Sequence, residues 1–200
     1  ARHVGARMAG AMMGQPWKVR SLLRLSAVCW LAGVSGPVTA DDVWIDIDTD
    51  SRSLTVMDED NVLRVFENIS VGRNGVTSEM VVKDRWTPLG SYRVRRINED
   101  SRFHIFFGFD YPNLQQSQSA FRAGRINYDQ LKSIRKAHYL RREPPSDTPL
   151  GGLIGIHGLG DGDPAIHEEY NWTDGCIALT NEDVDELAGW IRLGTRVEVH

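Results

Sequence analysis

Two residues in the last third of the chain could do covalent chemistry together. Cys176 is the only cysteine outside the first 40 residues. His157 stands nineteen positions before it, at the end of the apolar run Leu153, Ile154, Ile156. A thiol attacks a carbonyl as thiolate, so a neighbour must take its proton, and an imidazole held on a rigid strand can be that base. Gly158 leaves room for a substrate beside the histidine and offers a carbonyl to orient the ring. Gly175 lets the backbone turn sharply before the thiol, which would aim the N–H groups of Gly175 and Cys176 at a developing oxyanion. Thr173 is spaced to hydrogen-bond within that turn. Taken alone, one Cys and one His at this spacing are a weak signal, since a buried inert thiol is common.

The same stretch offers a metal-type donor set in His157, His167 and Cys176 with Asp161 or Asp163. Its spacing is irregular and lacks the short ligand pairs of zinc sites. No metal and no cofactor is therefore expected. Asp161-Gly162-Asp163 reads as an acidic flexible loop rather than a calcium loop.

The elements that must position these residues follow from pattern. Val43–Asp48, Leu54–Met57 and Val62–Phe66 alternate apolar and polar residues and are separated by polar turns, which predicts a meander of short strands. Ile69–Arg73 is expected to be a further strand, broken at Asn74-Gly75. Thr87–Gly90 is read as a turn into a strand at Ser91–Arg96, and Phe103–Phe109 as another strand. Asn127–Leu140 carries Leu131, Ile134, Ala137 and His138 at helical spacing and stops before Pro144-Pro145. His138 and His104 are assigned to structure. Thr180 caps a helix with an acidic first turn and an apolar face of Val184, Leu187, Ala188 and Ile191, ended by Gly194, and Arg196–Val199 is a closing strand.

Charge narrows the partners. The formal net charge is −4, but residues 1–40 hold five of the 23 basic side chains and none of the 27 acidic ones. The remainder carries about −9, a poor match for nucleic acid or for an anionic membrane surface. Residues 1–40 themselves have a basic part ending at Arg24, an uncharged apolar run from Leu25 to Val34 and small residues at Val38-Thr39-Ala40. That is the pattern of a secretory signal cleaved after Ala40, with membrane contact limited to this segment. The run is too short for a spanning helix of about 20 residues. Cleavage would leave Cys176 as one free thiol in an oxidising compartment, which invites a chemical explanation.

The sequence Ile-x-Ile-His-Gly, then a loop, then Trp-Thr-x-Gly-Cys-Ile-Ala-Leu resembles the L,D-transpeptidase catalytic domain (YkuD) family. Thr87-Pro88-Leu89-Gly90, Tyr111-Pro112-Asn113, Arg122-Ala123-Gly124 and the closing Gly-Thr-x-Val-x-Val fall in the order of that resemblance, which extends over residues 41–200. It implies a mainly β, sandwich-like fold with flanking helices. It also implies catalysis by Cys176 with His157 as base, Gly158 orienting it, and Gly175 with Cys176 as oxyanion hole. Substrate contacts are expected from Trp172, Thr173, Asp174 and the loop residue His167. The implied substrate is a peptidoglycan stem peptide in the periplasm or cell envelope. The thiolate would attack the carbonyl of its L-centre diamino acid, release D-alanine, and pass the acyl group to an amine on another stem or on an envelope protein. Two departures stand out: Ala178 and Asp174 occupy positions where many members carry Arg or Asn and a basic residue, and Asp174 puts negative charge beside the thiol. A hydrolase on the same fold, acting as an L,D-carboxypeptidase, would use the same residues. A non-catalytic envelope-binding module would need neither.

Overall fold

A computed structural model describes residues 43–78 and 85–200. The expected signal segment and its expected boundary at residues 40–41 lie outside the described residues. Ten strands and four helices are described, in the order β1 (Val43–Asp48), β2 (Ser53–Asp58), β3 (Asn61–Glu67), β4 (Val76–Thr77), β5 (Thr87–Pro88), β6 (Gly90–Ser101), β7 (His104–Phe109), α1 (Leu114–Arg122), α2 (Tyr128–Tyr139), β8 (Gly155–His157), α3 (Pro164–Glu169), β9 (Ile177–Ala178), α4 (Asn181–Ala188) and β10 (Arg196–Val199).

Eight strands make one mixed sheet in the order β3-β2-β1-β10-β6-β7-β8-β9. The closing strand β10 sits in its middle, parallel to β1 and antiparallel to β6. Alternation of the kind seen in β1, whose Val43, Ile45 and Ile47 are buried, sends one face inward. Those residues share one apolar cluster with Leu54 and Val56 of β2, Phe107 and Phe109 of β7, Ile156 of β8, Ile177 of β9 and Val184 and Leu187 of α4. Strands from both ends of the sheet thus feed the same core, so the sheet folds over on itself in the sandwich-like manner expected. The chain after β3 confirms the closure: Ser70 bridges to Ala178 and Gly72 to Thr173. The fold is mostly sheet with a few helices, as the resemblance implied.

Several boundaries move. Ile69–Arg73 forms these two isolated bridges rather than a strand. Thr87-Pro88 pairs in parallel with Val76-Thr77 instead of forming only a turn. β6 runs on to Ser101 and reaches β7 through a tight turn at Arg102-Phe103, with Ser101 paired to His104. α2 lies within the expected span of residues 127–140, with Asn127 and Gln130 forming a capping box at its start. α1 was not expected: its stretch has little apolar periodicity, but Asn113 and Gln116 make a second capping box. α4 stops at Ala188, because Gly189 follows and the chain tightens there. α1 and α2 enclose a second apolar cluster of Ala120, Ile126, Leu131, Ile134 and Leu150.

Candidate active site

The two short strands β8 and β9 run parallel, with Ile156 opposite Ile177 and His157 opposite Ala178. Cys176 therefore enters β9 beside Gly155, and His157 stands two residues further along the same ladder. Both residues line one cavity of about 660 Å³, together with Trp172, Thr173 and Asp174. The remaining wall comes from the β6–β7 turn, including Asp100, Arg102 and Phe103, and from Leu153. Leu153 is not in the strand the sequence suggested. It sits at φ 60°, its side chain is exposed, and its carbonyl accepts from the Cys176 thiol at 3.4 Å.

His157 is 2% exposed. Its Nδ1 lies 2.7 Å from the Gly158 carbonyl. A carbonyl only accepts, so Nδ1 carries the hydrogen and Nε2 presents its lone pair. The ring is held by aromatic neighbours: Phe103 stacks on it at 4.4 Å and Trp172 meets it edge-on at 5.7 Å. Burial pulls the imidazole pKa down to about 4, against the opposing effect of the Gly158 bond. Burial also pushes the Cys176 thiol up to about 11, the Gly155 backbone N–H working against it and the Asp174 charge with it. Both shifts favour the neutral thiol and neutral imidazole over an ion pair.

The turn before the thiol differs from expectation in one respect. The Gly175 N–H donates to Thr173 Oγ1 at 3.1 Å, and the Thr173 hydroxyl donates to the Cys176 carbonyl at 2.6 Å. Thr173 thus braces the turn, and the Gly175 N–H is occupied rather than open for an oxyanion. Of the two N–H groups expected at an oxyanion, that leaves the one on Cys176. Gly175 itself is required: φ is +125° and a Cβ would lie 2.8 Å from the Trp86 carbonyl. Gly158 does not make room for substrate. A Cβ there would meet Asn181 Oδ1 at 2.7 Å and the Phe103 carbonyl at 2.9 Å, both parts of the protein.

Asp174 is exposed and flanked by Arg73 at 3.0 Å and Arg85 at 3.6 Å, so its charge beside the thiol is partly offset. His167 is not a loop residue at the substrate. It lies in α3, is 2% exposed, does not line the cavity, and accepts the Trp172 indole N–H at Nδ1 (3.2 Å). Asp163 caps that helix. His138 and His104 are structural as assigned: one bonds the Pro112 carbonyl and the other Asp185. Three contributors escaped the sequence reading. Phe103 and Arg102 come from a turn nothing marked as special, and Asn181, whose side chain clasps both backbone groups of Gly160, lay hidden in a helix start. Among the described residues no three of His, Cys, Asp and Glu gather as a metal would require.

Comparison with known proteins places the family and the fold. A family model described as the L,D-transpeptidase catalytic domain matches residues 42–199. No curated protein matches the chain. The helical cell shape determining protein Pgp2 of Campylobacter jejuni is 21% identical, with a TM-score of 0.54, over 79% of this chain and 47% of that one. Bd1075 of Bdellovibrio bacteriovorus is 18% identical, with a TM-score of 0.50, over 80% and 48%. These likenesses speak for the fold, and the chain spans about half the length of either protein.

Proposed function

The chain belongs to the L,D-transpeptidase catalytic domain family, and from that premise we propose that it is a cysteine transpeptidase acting on peptidoglycan stem peptides in the cell envelope. Residues 1–40 direct export and are removed after Ala40, and residues 41–200 are the catalytic domain. The observation that carries this reading is a thiol at the entry to β9 and an oriented, neutral imidazole on the parallel neighbour β8, lining one cavity.

In the first half-reaction Cys176 Sγ forms a bond to the L-centre carbonyl carbon of a tetrapeptide stem. His157 Nε2 takes the thiol proton as the bond forms, which suits a site whose resting pair is neutral. The Cys176 N–H faces the developing oxyanion. Collapse breaks the peptide bond, and the His157 proton goes to the departing D-alanine nitrogen. In the second half-reaction an amine of another stem, or of an envelope protein, gives its proton to His157 and takes the acyl group as the carbon–sulfur bond breaks, and His157 returns that proton to the Cys176 sulfur. Trp172 and Phe103 wall the base, and Thr173 holds the turn.

The full chain incubated with disaccharide-tetrapeptides and followed by mass spectrometry tests this. Crosslinked dimers with loss of D-alanine are expected, and Cys176→Ala should give none. His157→Gln should retain binding and lose turnover by a factor on the order of 10³. Tripeptide without dimers would move the assignment to an L,D-carboxypeptidase. No turnover in the parent would defeat the enzyme reading.

A further inference from the structure

Charge is unevenly spread over the α1–α2 pair. Between Arg122 and Arg142 seven basic side chains stand against one acidic one, Asp129, in a chain that is acidic elsewhere after residue 40. On α2, Tyr128, Lys132, Arg135, Lys136 and Tyr139 recur at i, i+4, i+7, i+8 and i+11, which puts them on one stripe. All five are exposed, Tyr128 by 64% and Tyr139 by 86%, and exposed Leu140, Arg141 and Arg142 follow. The opposite face is used, since Leu131 and Ile134 are buried in the second core cluster. Among the described residues none of the seven cations is in an ion pair, whereas Arg64, Arg73, Arg85, Arg95, Arg96 and Arg196 all are.

We propose that this stripe docks the protein onto an anionic phospholipid surface. Three cations lie between two tyrosines whose rings are apolar and whose hydroxyls are polar, the residue type that settles at headgroup level. Lysine and arginine stems can lie along the surface while their charges reach phosphate. The row is about 16 Å long on a convex helix, a shape that meets a plane rather than a small ligand. The acidic remainder does not cancel it. Charges more than a Debye length of about 8–10 Å away are largely screened, so the contacting row decides the sign. The proposal is independent of the catalytic reading, and it adds a lasting contact to the passing one expected of residues 1–40.

The test is co-sedimentation of the full chain with phosphatidylcholine vesicles, with and without phosphatidylglycerol. Lys132→Ser/Arg135→Ser/Lys136→Ser should lower phosphatidylglycerol-dependent binding by roughly a hundredfold, about fivefold per cation removed. Lys132→Arg/Lys136→Arg should keep it, Tyr128→Ser/Tyr139→Ser should weaken it severalfold, and high salt should abolish it. Residues 1–40 are common to all of these proteins, so the differences report on the stripe. Unchanged binding by the triple variant overturns the proposal. So does a triple variant that keeps its vesicle binding but loses retention on isolated peptidoglycan sacculi, since the stripe would then read a wall polymer. If the triple variant fails to fold, Lys136→Ser alone carries the test, with a fivefold loss expected and no loss overturning it.

Discussion

Cys176 and His157 are poised as a neutral pair, and this has a consequence for reactivity. A thiol held up at about 11 beside an imidazole drawn down to about 4 gives little thiolate at neutral pH without substrate. Alkylation of Cys176 by iodoacetamide should therefore climb about tenfold per pH unit through pH 9 and level only near 11. A plateau near neutrality would show a resting ion pair instead. His167 acts one step back. Its Nδ1 accepts the Trp172 indole N–H, and Trp172 in turn abuts His157. His167→Phe removes that acceptor and should lower kcat/KM roughly tenfold, about the worth of one hydrogen bond, while His167→Gln should recover part of the loss.

Between residue and fold stand the glycines that let strands and turns close on the site. At Gly155 a Cβ would lie 2.2 Å from the Phe107 carbonyl, within the β7–β8 ladder that carries His157. Gly155→Ala should cost at least about 1–3 kcal/mol in urea unfolding, because two strands must part. Gly194, by contrast, has a positive φ but nothing within 4 Å of a Cβ, so Gly194→Ala should cost only about 1 kcal/mol of backbone strain. Much of this level was legible in the sequence. The strands β1 to β3, β7 and β10, the helix α2 and the Thr180 cap follow from periodicity and a capping residue, which are local signals. The pairing of β8 with β9 is not local. It rests on three- and two-residue strands recognisable only through the His-Gly and Thr-x-Gly-Cys motifs they carry. The carbonyl of Gly158 orients His157 as expected, but the room expected at Gly158, the open N–H expected at Gly175 and the loop position expected of His167 all fail for the same reason. Which atoms a Cβ would strike, which oxygen takes an N–H, and which indole a histidine supports all depend on segments distant in sequence, such as Trp86, Phe103 and Asn181.

For the molecule as a whole, the site groups contribute to the pH dependence of stability. The folded-state pKa of His157, about 4, lies below its unfolded value of 6.5. Between those values the unfolded chain binds the extra proton, so stability rises with pH there. The contribution is complete above about pH 6.5, is lost as pH falls, and is gone below about 4. For a residue this buried it amounts to about 3 kcal/mol. His167 is shifted downward too, chiefly by burial, and steepens the same limb. Cys176 works at the other end: its folded pKa is raised from 9.0 to about 11, so its contribution is whole below pH 9 and fades as pH rises toward 11. The thermal midpoint should therefore form a broad maximum between about pH 6.5 and 9. In His157→Gln the acid limb between pH 6.5 and 4 should flatten while the alkaline limb stays. If both limbs keep their slopes in that variant, His157 is not buried neutral in the folded protein, and the general-base assignment loses its electrostatic footing.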